Sequence, residues 1–475
     1  MPKEAKKEAK TAKKAEKLAG EILAQAKHFA AEKPDEVKKA LAFCGPYKAY
    51  LDASKTEREC AANTVRILQK AGYKPFVAGK KLAAGDKVYL LHRGKAVIAA
   101  TLGKQSLEKG VRMVISHIDS PRLDLKPAPL YEAEELSYFK THYYGGVRKY
   151  QWVAIPLSMH GVVVKKDGTS VEISLGEAEG DPVFTITDLL PHLSAEQNKR
   201  SLADGIRGEE LNILVGALPF EEPEAKEAVK LETMRLLHEK YGIAERDFAR
   251  AEIEFVPAMK AADVGFDGSM VGAYGQDDRV CAYTSLMAET ETKSPEFTSV
   301  CVMVDKEETG SDGNTGLAGD FFFHFLQELC EQQKANYRTM LAASVCLSAD
   351  VNAAYDPTFP DVYEKRNTCF MNHGAVLTKY TGARGKGSTS DASAEFMGYV
   401  TRLFDDAGVP WQIGELGKVD AGGGGTIAKF VANKNVEVVD IGVPVLSMHS
   451  PFEITSKLDV YTLYQGFKAF VAAKE

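Results

Sequence analysis

The chain has 475 residues, of which 45% are hydrophobic and 26% are charged, a composition typical of a globular protein and not of a fibrous or disordered one. This length predicts two domains, or one domain interrupted by another. The formal net charge of -7 provides no general attraction to phosphate backbones or anionic lipid, so nucleic acid is not an expected partner.

The cysteines and the hydropathy pattern exclude further classes of protein. The seven cysteines are scattered, odd in number and without a C-x-x-C pair, which argues against a disulfide framework and against a thiolate zinc site. No apolar run reaches the roughly 18 residues that a membrane helix needs, and the Lys/Ala/Glu-rich residues 1–27 lack the apolar core of a signal peptide. We therefore expect a cytoplasmic protein without a membrane partner, and we interpret 1–27 as a solvated helix rather than an RNA-binding arm.

The first third of the chain passes from helices to strands. Apolar residues recur at three-to-four spacing over 15–33 and 56–73, which predicts helices. Short strands ending in glycine turns are predicted over 87–94 and 95–103. An apolar strand beginning at Val111 then ends abruptly in the polar sequence SHIDS.

The pattern changes twice more along the chain. Residues 130–262 are rich in short β-type segments and loops, which predicts an inserted domain. From 263 onward strands and helices alternate, as is typical of an α/β fold with a mixed, largely parallel sheet and helices on both faces. The sequence thus predicts one domain over 1–129 and 263–475, interrupted by the other.

Polar residues with metal-binding side chains follow the apolar strands. In open α/β sheets the ligand crevice lies at the carboxyl ends of the strands, so these residues are expected to meet. A further acidic pair, in the sequence QDDR, is predicted at the start of a helix, whose free N–H groups can orient a carboxylate. The residues concerned are His117 and Asp119, Asp277 and Asp278, Glu307 and Glu308, Asp350, and His449.

Imidazole and carboxylate ligands without thiolate suit zinc, cobalt or manganese. Each short motif alone is more often an ordinary surface or capping feature. Together, three apolar strands that deliver carboxylates and imidazoles into one crevice would create strong repulsion without a cation. The predicted ligands of two cations, each with one His and one further carboxylate and both sharing Asp277, are His117, Asp277, Glu308, Asp350 and His449. The adjacent Glu307 is then free to act as a general base.

An ordered series of segments resembles the M18 family of metallo-aminopeptidases, the aspartyl aminopeptidase group. The segments are SHIDSPRLDLKP, QDDR, DKEETGSDGNTG, LSADVNAAYDP, GGGGTIA and VPVLSMHSPFE. The resemblance implies a zinc-exopeptidase fold, removal of N-terminal residues from peptides with a free N-terminus, and the same five ligands around two zinc ions. It also implies that Asp277 bridges, that Glu307 is the base, and that Asp119 orients His117.

The resemblance carries expectations about assembly and substrate binding as well. It implies that the inserted domain mediates oligomerisation or covers the site, in a tetrahedral homododecamer whose active sites face an internal chamber. His160 is similar to a family histidine that reaches a neighbouring subunit's active site, although an ordinary strand histidine fits the residue equally well. Lys379 lies near the family's substrate-recognition segment, and the glycine run that contains Gly424 and Thr426 allows close approach of backbone to substrate.

One departure from the family pattern concerns specificity. Eukaryotic members carry a histidine shortly after the residue equivalent to Asp350, whereas this chain has ADVNAAYDP there and resembles the bacterial branch. A preference for N-terminal Asp or Glu is therefore one expectation beside basic and broad preferences. Two alternatives to an aminopeptidase stay open: a related deacylase or carboxypeptidase, and a non-catalytic shell protein of the same fold.

Overall fold

The computed structural model describes residues 13–20, 22–23, 27–222 and 226–475. Most of the predicted N-terminal helix over 1–27 lies outside these residues; 13–20 are helical. The further helices are α1 Phe29–Glu32, α2 Val37–Asp52, α3 Glu57–Lys70, α4 Ala228–Tyr241, α5 Gln276–Glu291, α6 Phe321–Gln333, α7 Tyr337–Ala343, α8 Ala394–Ala407, α9 Ala428–Ala432 and α10 Lys457–Val471.

The strands form three sheets. In chain order they are β1 Lys74–Pro75, β2 Lys87–His92, β3 Ala96–Thr101, β4 Val111–His117, β5 Arg122–Ala133, β6 Leu136–Tyr144, β7 Leu157–Val164, β8 Ser170–Leu175, β9 Thr185–Ile186, β10 Asn212–Gly216, β11 Ala251–Pro257, β12 Ala262–Val264, β13 Met270–Ala273, β14 Thr298–Val304, β15 Val345–Ala349, β16 Asn352–Ala353, β17 Ala375–Thr378, β18 Trp411–Ile413, β19 Glu437–Gly442, β20 Pro444–Leu446 and β21 Glu453–Ser456.

The first sheet has nine strands in the order β1-β2-β3-β14-β4-β15-β19-β17-β18. Its central strands β14, β4, β15 and β19 are mutually parallel, while β2-β3, β3-β14 and β19-β17 pair antiparallel. The predicted mixed, largely parallel sheet is confirmed. Because the four central strands run in the same direction, their carboxyl ends meet at one edge.

Both faces of this sheet are covered, as the uninterrupted apolar strands require. Along β14 the side chains alternate: Val300, Val302 and Val304 belong to one core, and Cys301 and Met303 belong to another. The helices α6, α7 and α9 contribute to the first core, and α2, α3, α5, α8 and α10 to the second. The predicted arrangement of helices on both faces is confirmed.

The second sheet is antiparallel throughout, in the order β8-β7-β11-β5-β6-β10-β9, and has its own apolar core. It spans residues 122–257, so its first strand begins before the predicted boundary at residue 130. The division of the chain into two domains stays a prediction.

A third, five-stranded sheet has the order β12-β13-β21-β20-β16. The apolar segment 436–450 is divided between two sheets: β19 lies in the first sheet and β20 in the third. Gly442 ends β19 where a Cβ atom would lie 2.0 Å from the carbonyl oxygen of Asp350, so only glycine permits this close approach. Within the part of the chain that the structure describes, no helix combines the length and apolarity needed to cross a membrane.

Candidate metal centre

Asp277 lies between two imidazoles at the edge where the central strands end. Its Oδ1 is 3.2 Å from Nε2 of His117, the last residue of β4, and its Oδ2 is 3.2 Å from Nε2 of His449. The backbone N–H of Asp277, at the start of α5, donates a hydrogen bond to Glu453 (3.0 Å). One buried carboxylate therefore faces two histidines, one through each oxygen.

The other nitrogen of each imidazole faces a backbone carbonyl. His117 Nδ1 lies 3.1 Å from the carbonyl oxygen of Asp119, and His449 Nδ1 lies 2.9 Å from that of Gly146. A carbonyl oxygen can only accept a hydrogen bond, so we assign the Nδ1 proton to both neutral rings. Each Nε2 is then left with a lone pair directed at Asp277, an arrangement that a cation between the two groups would make favourable.

Two further carboxylates complete the arrangement. Glu308 Oε2, in the turn after β14, is 3.6 Å from His449 Nε2, and Asp350 Oδ1, directly after β15, is 3.9 Å from His117 Nε2. In addition to the shared Asp277, His449 thus has Glu308 nearby, and His117 has Asp350 and Glu307, each at 3.9 Å. Among the described residues, two of the groups able to hold a metal ion are His117, Asp277, Glu308 and His117, Glu307, Asp350.

The electrostatics of the centre fit divalent cations. The buried atoms Asp277 Oδ1 and Glu308 Oε1 have no hydrogen-bond partner, which is costly unless another group meets them. Burial, followed by the neighbouring carboxylates, raises the pKa of Glu308 and of Asp350 well above the usual range. Because carboxylates outnumber the two imidazoles, a positively charged ligand would relieve their repulsion, and the donor set suits zinc, cobalt or manganese.

Glu307 is adjacent to the centre but more accessible than Glu308. Its side chain is 16% exposed against 4% for Glu308, and its Oε2 is 3.9 Å from His117 Nε2. Burial, together with the carboxylates of Asp119 and Asp277 and against the effect of His117, raises the pKa of Glu307 to about 7.

Asp119 contacts both His117, at the end of β4, and the turn after β14 that contains Glu307 and Glu308. Its carboxylate accepts hydrogen bonds from the backbone N–H groups of Glu307 and Glu308, each at 3.2 Å, and from the Tyr144 hydroxyl at 2.8 Å. Its Oδ1 is also 3.3 Å from His117 Nδ1. Asp119 therefore holds both glutamates and the imidazole in fixed relative positions.

A cavity of about 490 Å³ opens on the centre. Its lining includes Asp277, Glu307, Glu308, Asp350 and His449, together with Gly424, Thr426 and Lys429. The site is thus a pocket large enough for part of a substrate, with carboxylates and an imidazole exposed on one wall.

The family model described as "Aminopeptidase I zinc metalloprotease (M18)" matches residues 50–471. The chain belongs to the M18 family. A probable M18 family aminopeptidase 1 of Clostridium acetobutylicum is 47% identical over 444 residues, covering 92% of this chain and 96% of the relative.

Solved structures agree with this assignment. The crystal structure of an M18 aminopeptidase of Thermotoga maritima superposes with a TM-score of 0.90 at 43% identity, covering 94% of this chain and 99% of the other. The S. cerevisiae mApe1 dodecamer superposes with a TM-score of 0.73 at 22% identity, covering 91% and 97%, which shows the fold alone. The chain is a metallo-aminopeptidase, and the predicted family, fold class and enzyme type are confirmed.

The predicted substrate-binding residues of this M18 aminopeptidase lie in different places. Gly424 and Thr426 line the cavity, whereas His160 and Lys379 do not. His160, in β7, is buried, with Nδ1 2.8 Å from Glu59 Oε1. Lys379 donates to Asp391 at 2.5 Å in an exposed ion pair.

Sequence reasoning missed two residues that hold the centre. Glu453 accepts hydrogen bonds from the backbone N–H groups of Asp277 (3.0 Å) and His449 (2.7 Å), and Tyr144 binds Asp119 as described. The available signal for Glu453 was its position four residues after His449 in SMHSPFE. Tyr144 ends β6 of the second sheet and carried no such signal, because its partner lies 25 residues earlier in the chain.

Proposed function

We propose that this M18 aminopeptidase holds two divalent cations, with zinc as the first choice and cobalt or manganese as alternatives. One cation would bind His117 and Asp350, the other His449 and Glu308, and Asp277 would bridge them. The observation that carries this proposal is the position of Asp277, whose two oxygens each lie 3.2 Å from a different histidine Nε2.

The cations and the protein would share the chemistry of peptide hydrolysis. Two cations bound here would polarise the scissile carbonyl, lower the pKa of water and anchor the substrate's free amine. Glu307 would take the proton of the attacking water and deliver it to the leaving nitrogen. Its accessible side chain supports this role, as does the backbone hydrogen bond from Glu307 to Asp119, which fixes its position.

The substrates would be peptides with a free N-terminus. The acidic, basic and broad preferences all stay predictions; Lys379, which the resemblance places near the substrate-recognition segment, pairs with Asp391 outside the cavity. His160 in this chain contacts Glu59 rather than the cavity, so a role in substrate binding would have to be in a neighbouring subunit.

We also propose that the chain forms a homo-oligomer, a tetrahedral dodecamer, through a domain over 130–262 inserted into a catalytic domain over 1–129 and 263–475. Support comes from the mApe1 dodecamer, whose fold is similar. Within 130–262 several large apolar side chains are half exposed or more, as at interfaces between copies: Leu189, Leu190, Leu193, Leu202 and Leu218. A cytoplasmic location is proposed because all seven cysteines are free and buried.

Replacement of the base tests the proposed division of roles. In Glu307→Gln, turnover of a dipeptide should fall by roughly 10²–10⁴-fold, because the proton relay is lost. Metal content, measured by elemental analysis, should stay at two per chain. In the comparison variant His449→Ala the metal content itself should fall. Normal turnover by Glu307→Gln would refute the role of Glu307, and a wild-type content of one metal would refute the dinuclear centre.

A further inference from the structure

A group of polar side chains lies beside the proposed metal ligands, on three neighbouring strands of the first sheet. Ser348 of β15 pairs in register with Asp440 of β19, and Asp440 pairs with Thr378 of β17. Asn352 reaches the same place, since its Nδ2 donates a hydrogen bond to Thr378 Oγ1 (2.9 Å). These four residues form what we call the polar row. Asn352, Thr378 and Asp440 line the active-site cavity.

Among the described residues, the polar row contains buried atoms that lack a partner at full hydrogen-bonding geometry, although the Ser348 and Thr426 hydroxyls lie near enough to Asp440 to lower its pKa. Ser348 Oγ, Asn352 Oδ1 and Asp440 Oδ1 are buried without a hydrogen-bond partner. Asp440 is 3% exposed and Asn352 is 4% exposed, so bulk solvent does not compensate them. Buried acceptors without partners are rare in folded proteins, and at the wall of a cavity they indicate a ligand that donates hydrogen bonds.

The polar row is at the right distance for a substrate side chain. Asp350, a proposed ligand, follows Ser348 by two residues, so the Cα atoms of these two residues are about 7 Å apart at the usual rise of a strand. An N-terminal residue with its amine and carbonyl at the cations would extend its side chain over a distance of that order. Thr426 also lines the cavity and lies beside Asp440: burial raises the pKa of Asp440, and the hydroxyls of Ser348 and Thr426 lower it.

The charges that line the cavity beside the polar row favour a cationic or hydrogen-bond-donating substrate side chain over an acidic one. Apart from Glu307 and the proposed ligands, Asp440 is the carboxylate lining the cavity, and Lys429 is the ammonium. Lys429 is only half-buried, with Nζ 4.8 Å from the Phe430 ring centroid, so solvent screens its charge. Asp440 is much less accessible, and its interaction with a bound side chain is correspondingly stronger.

We propose that the polar row is the pocket for the side chain of the substrate's N-terminal residue, and that it selects lysine and arginine over aspartate and glutamate. The inference rests on the proposed dinuclear centre, which fixes where the substrate's N-terminus lies. Burial raises the pKa of Asp440 to about 7, and an ammonium or guanidinium bound beside it would favour the ionised form.

A matched substrate series tests the pocket. The zinc-loaded full chain is assayed for kcat/KM on the 4-nitroanilides of Lys, Gln, Leu and Glu. We expect kcat/KM to decrease in the order Lys, Gln, Glu, and to be on the order of a hundredfold higher for Lys than for Glu, because a Glu side chain would face Asp440. In Asp440→Asn the Lys-to-Glu ratio of kcat/KM should fall about tenfold, because the one charge that attracts the Lys side chain and repels the Glu side chain is removed. The matched control Asp420→Asn removes the same charge from an exposed loop outside the cavity and should leave the ratio unchanged.

The outcomes separate a wrong pocket from a wrong metal centre. Cleavage of the Glu substrate as fast as the Lys substrate by the wild type overturns the pocket, as does an unchanged ratio in folded Asp440→Asn. The wild-type series needs no variant, so a folding defect in Asp440→Asn leaves that test intact. If the dinuclear centre is wrong, the failure appears instead in the metal content of the wild type, whatever the ratio of the substrates.

Discussion

Two clusters of buried charge in this aminopeptidase are compensated in opposite ways. At the metal centre, Asp277, Glu308 and Asp350 surround two histidines, and among the described residues none of these three carboxylates forms an ion pair with a lysine or arginine. In the second cluster, Arg122 lies among carboxylates of its own and neighbouring strands and of α3. Its Nη1 is 3.3 Å from Glu57 and its Nε is 2.8 Å from Asp124 and 3.3 Å from Glu254.

The difference separates a structural ion network from a ligand site. Although burial opposes it, Arg122 and Lys95 hold the pKa of Glu57 at about 2, so this carboxylate is ionised and paired by the chain's own cations. Glu254 shares Arg122, but burial still raises its pKa; the pKa of Glu308 is raised as well, and among the described residues Glu308 forms no ion pair with an arginine or lysine. Burial of acidic residues alone therefore does not predict a metal; burial without an internal cation does.

The largest expected effect comes from removing the internal cation. Arg122→Met keeps the aliphatic length of the side chain but leaves Glu57 and Glu254 buried without their partner. We expect the free energy of unfolding to fall by about 3–5 kcal/mol, as for other broken buried pairs. Urea unfolding of the metal-loaded protein measures the change.

A matched control is the exposed pair of Lys126 and Glu209, whose atoms are 2.6 Å apart. Lys126→Met should change the free energy of unfolding by less than about 1 kcal/mol, because solvent screens that pair. An equal decrease in the free energy of unfolding of the two variants would mean that burial does not increase the contribution of the Arg122 network to stability.

At the metal centre, removal of a charged side chain should have the opposite effect on the free energy of unfolding of the metal-free protein. Glu308→Gln removes one of several mutually repelling carboxylates, so the metal-free variant should be more stable to urea than the metal-free wild type, by roughly 1–2 kcal/mol. In the presence of zinc the order should reverse, because the wild type gains binding energy that the variant has lost. A variant that is less stable in both states would indicate that Glu308 is a structural residue like Glu57.

The parts of the site that sequence predicted are those set by strand direction. The helices α5 and α6 lie where the sequence predicts alternating strands and helices from 263 onward, and the strand ends after β4, β14 and β15 are predicted because apolar runs stop there. Parallel strands bring such ends together whatever the remaining structure. His117, Glu308 and Asp350 could therefore be placed in one crevice before any coordinates were known.

The parts that sequence did not predict depend on side-chain direction and on distant contacts. Thr378, the last residue of β17, lines the cavity and Lys379 does not, because adjacent residues of an extended chain face opposite sides; a substrate contact of Lys379 stays a prediction. Glu453 acts on the backbone of Asp277, 176 residues away, and no local pattern encodes that pairing.

The last expected effect is on metal affinity and concerns Tyr144, which connects the two charge clusters. Its ring lies 3.8 Å from the Arg122 guanidinium and its hydroxyl donates to Asp119 at 2.8 Å, so the second sheet supports the metal centre through this residue. Tyr144→Phe keeps the ring on Arg122 and removes only the hydrogen bond. We expect zinc affinity, measured by competition with a chromophoric chelator, to fall about 10–100-fold, as for other contacts that orient a ligand.

Urea stability of metal-free Tyr144→Phe should stay close to that of the wild type, because the packing against Arg122 is kept. Tyr144→Leu loses both contacts and should reduce zinc affinity and metal-free stability together. A Phe variant with wild-type zinc affinity would mean that the N–H groups of Glu307 and Glu308 alone hold Asp119. The second sheet would then contact the Arg122 network but would not support the metal centre.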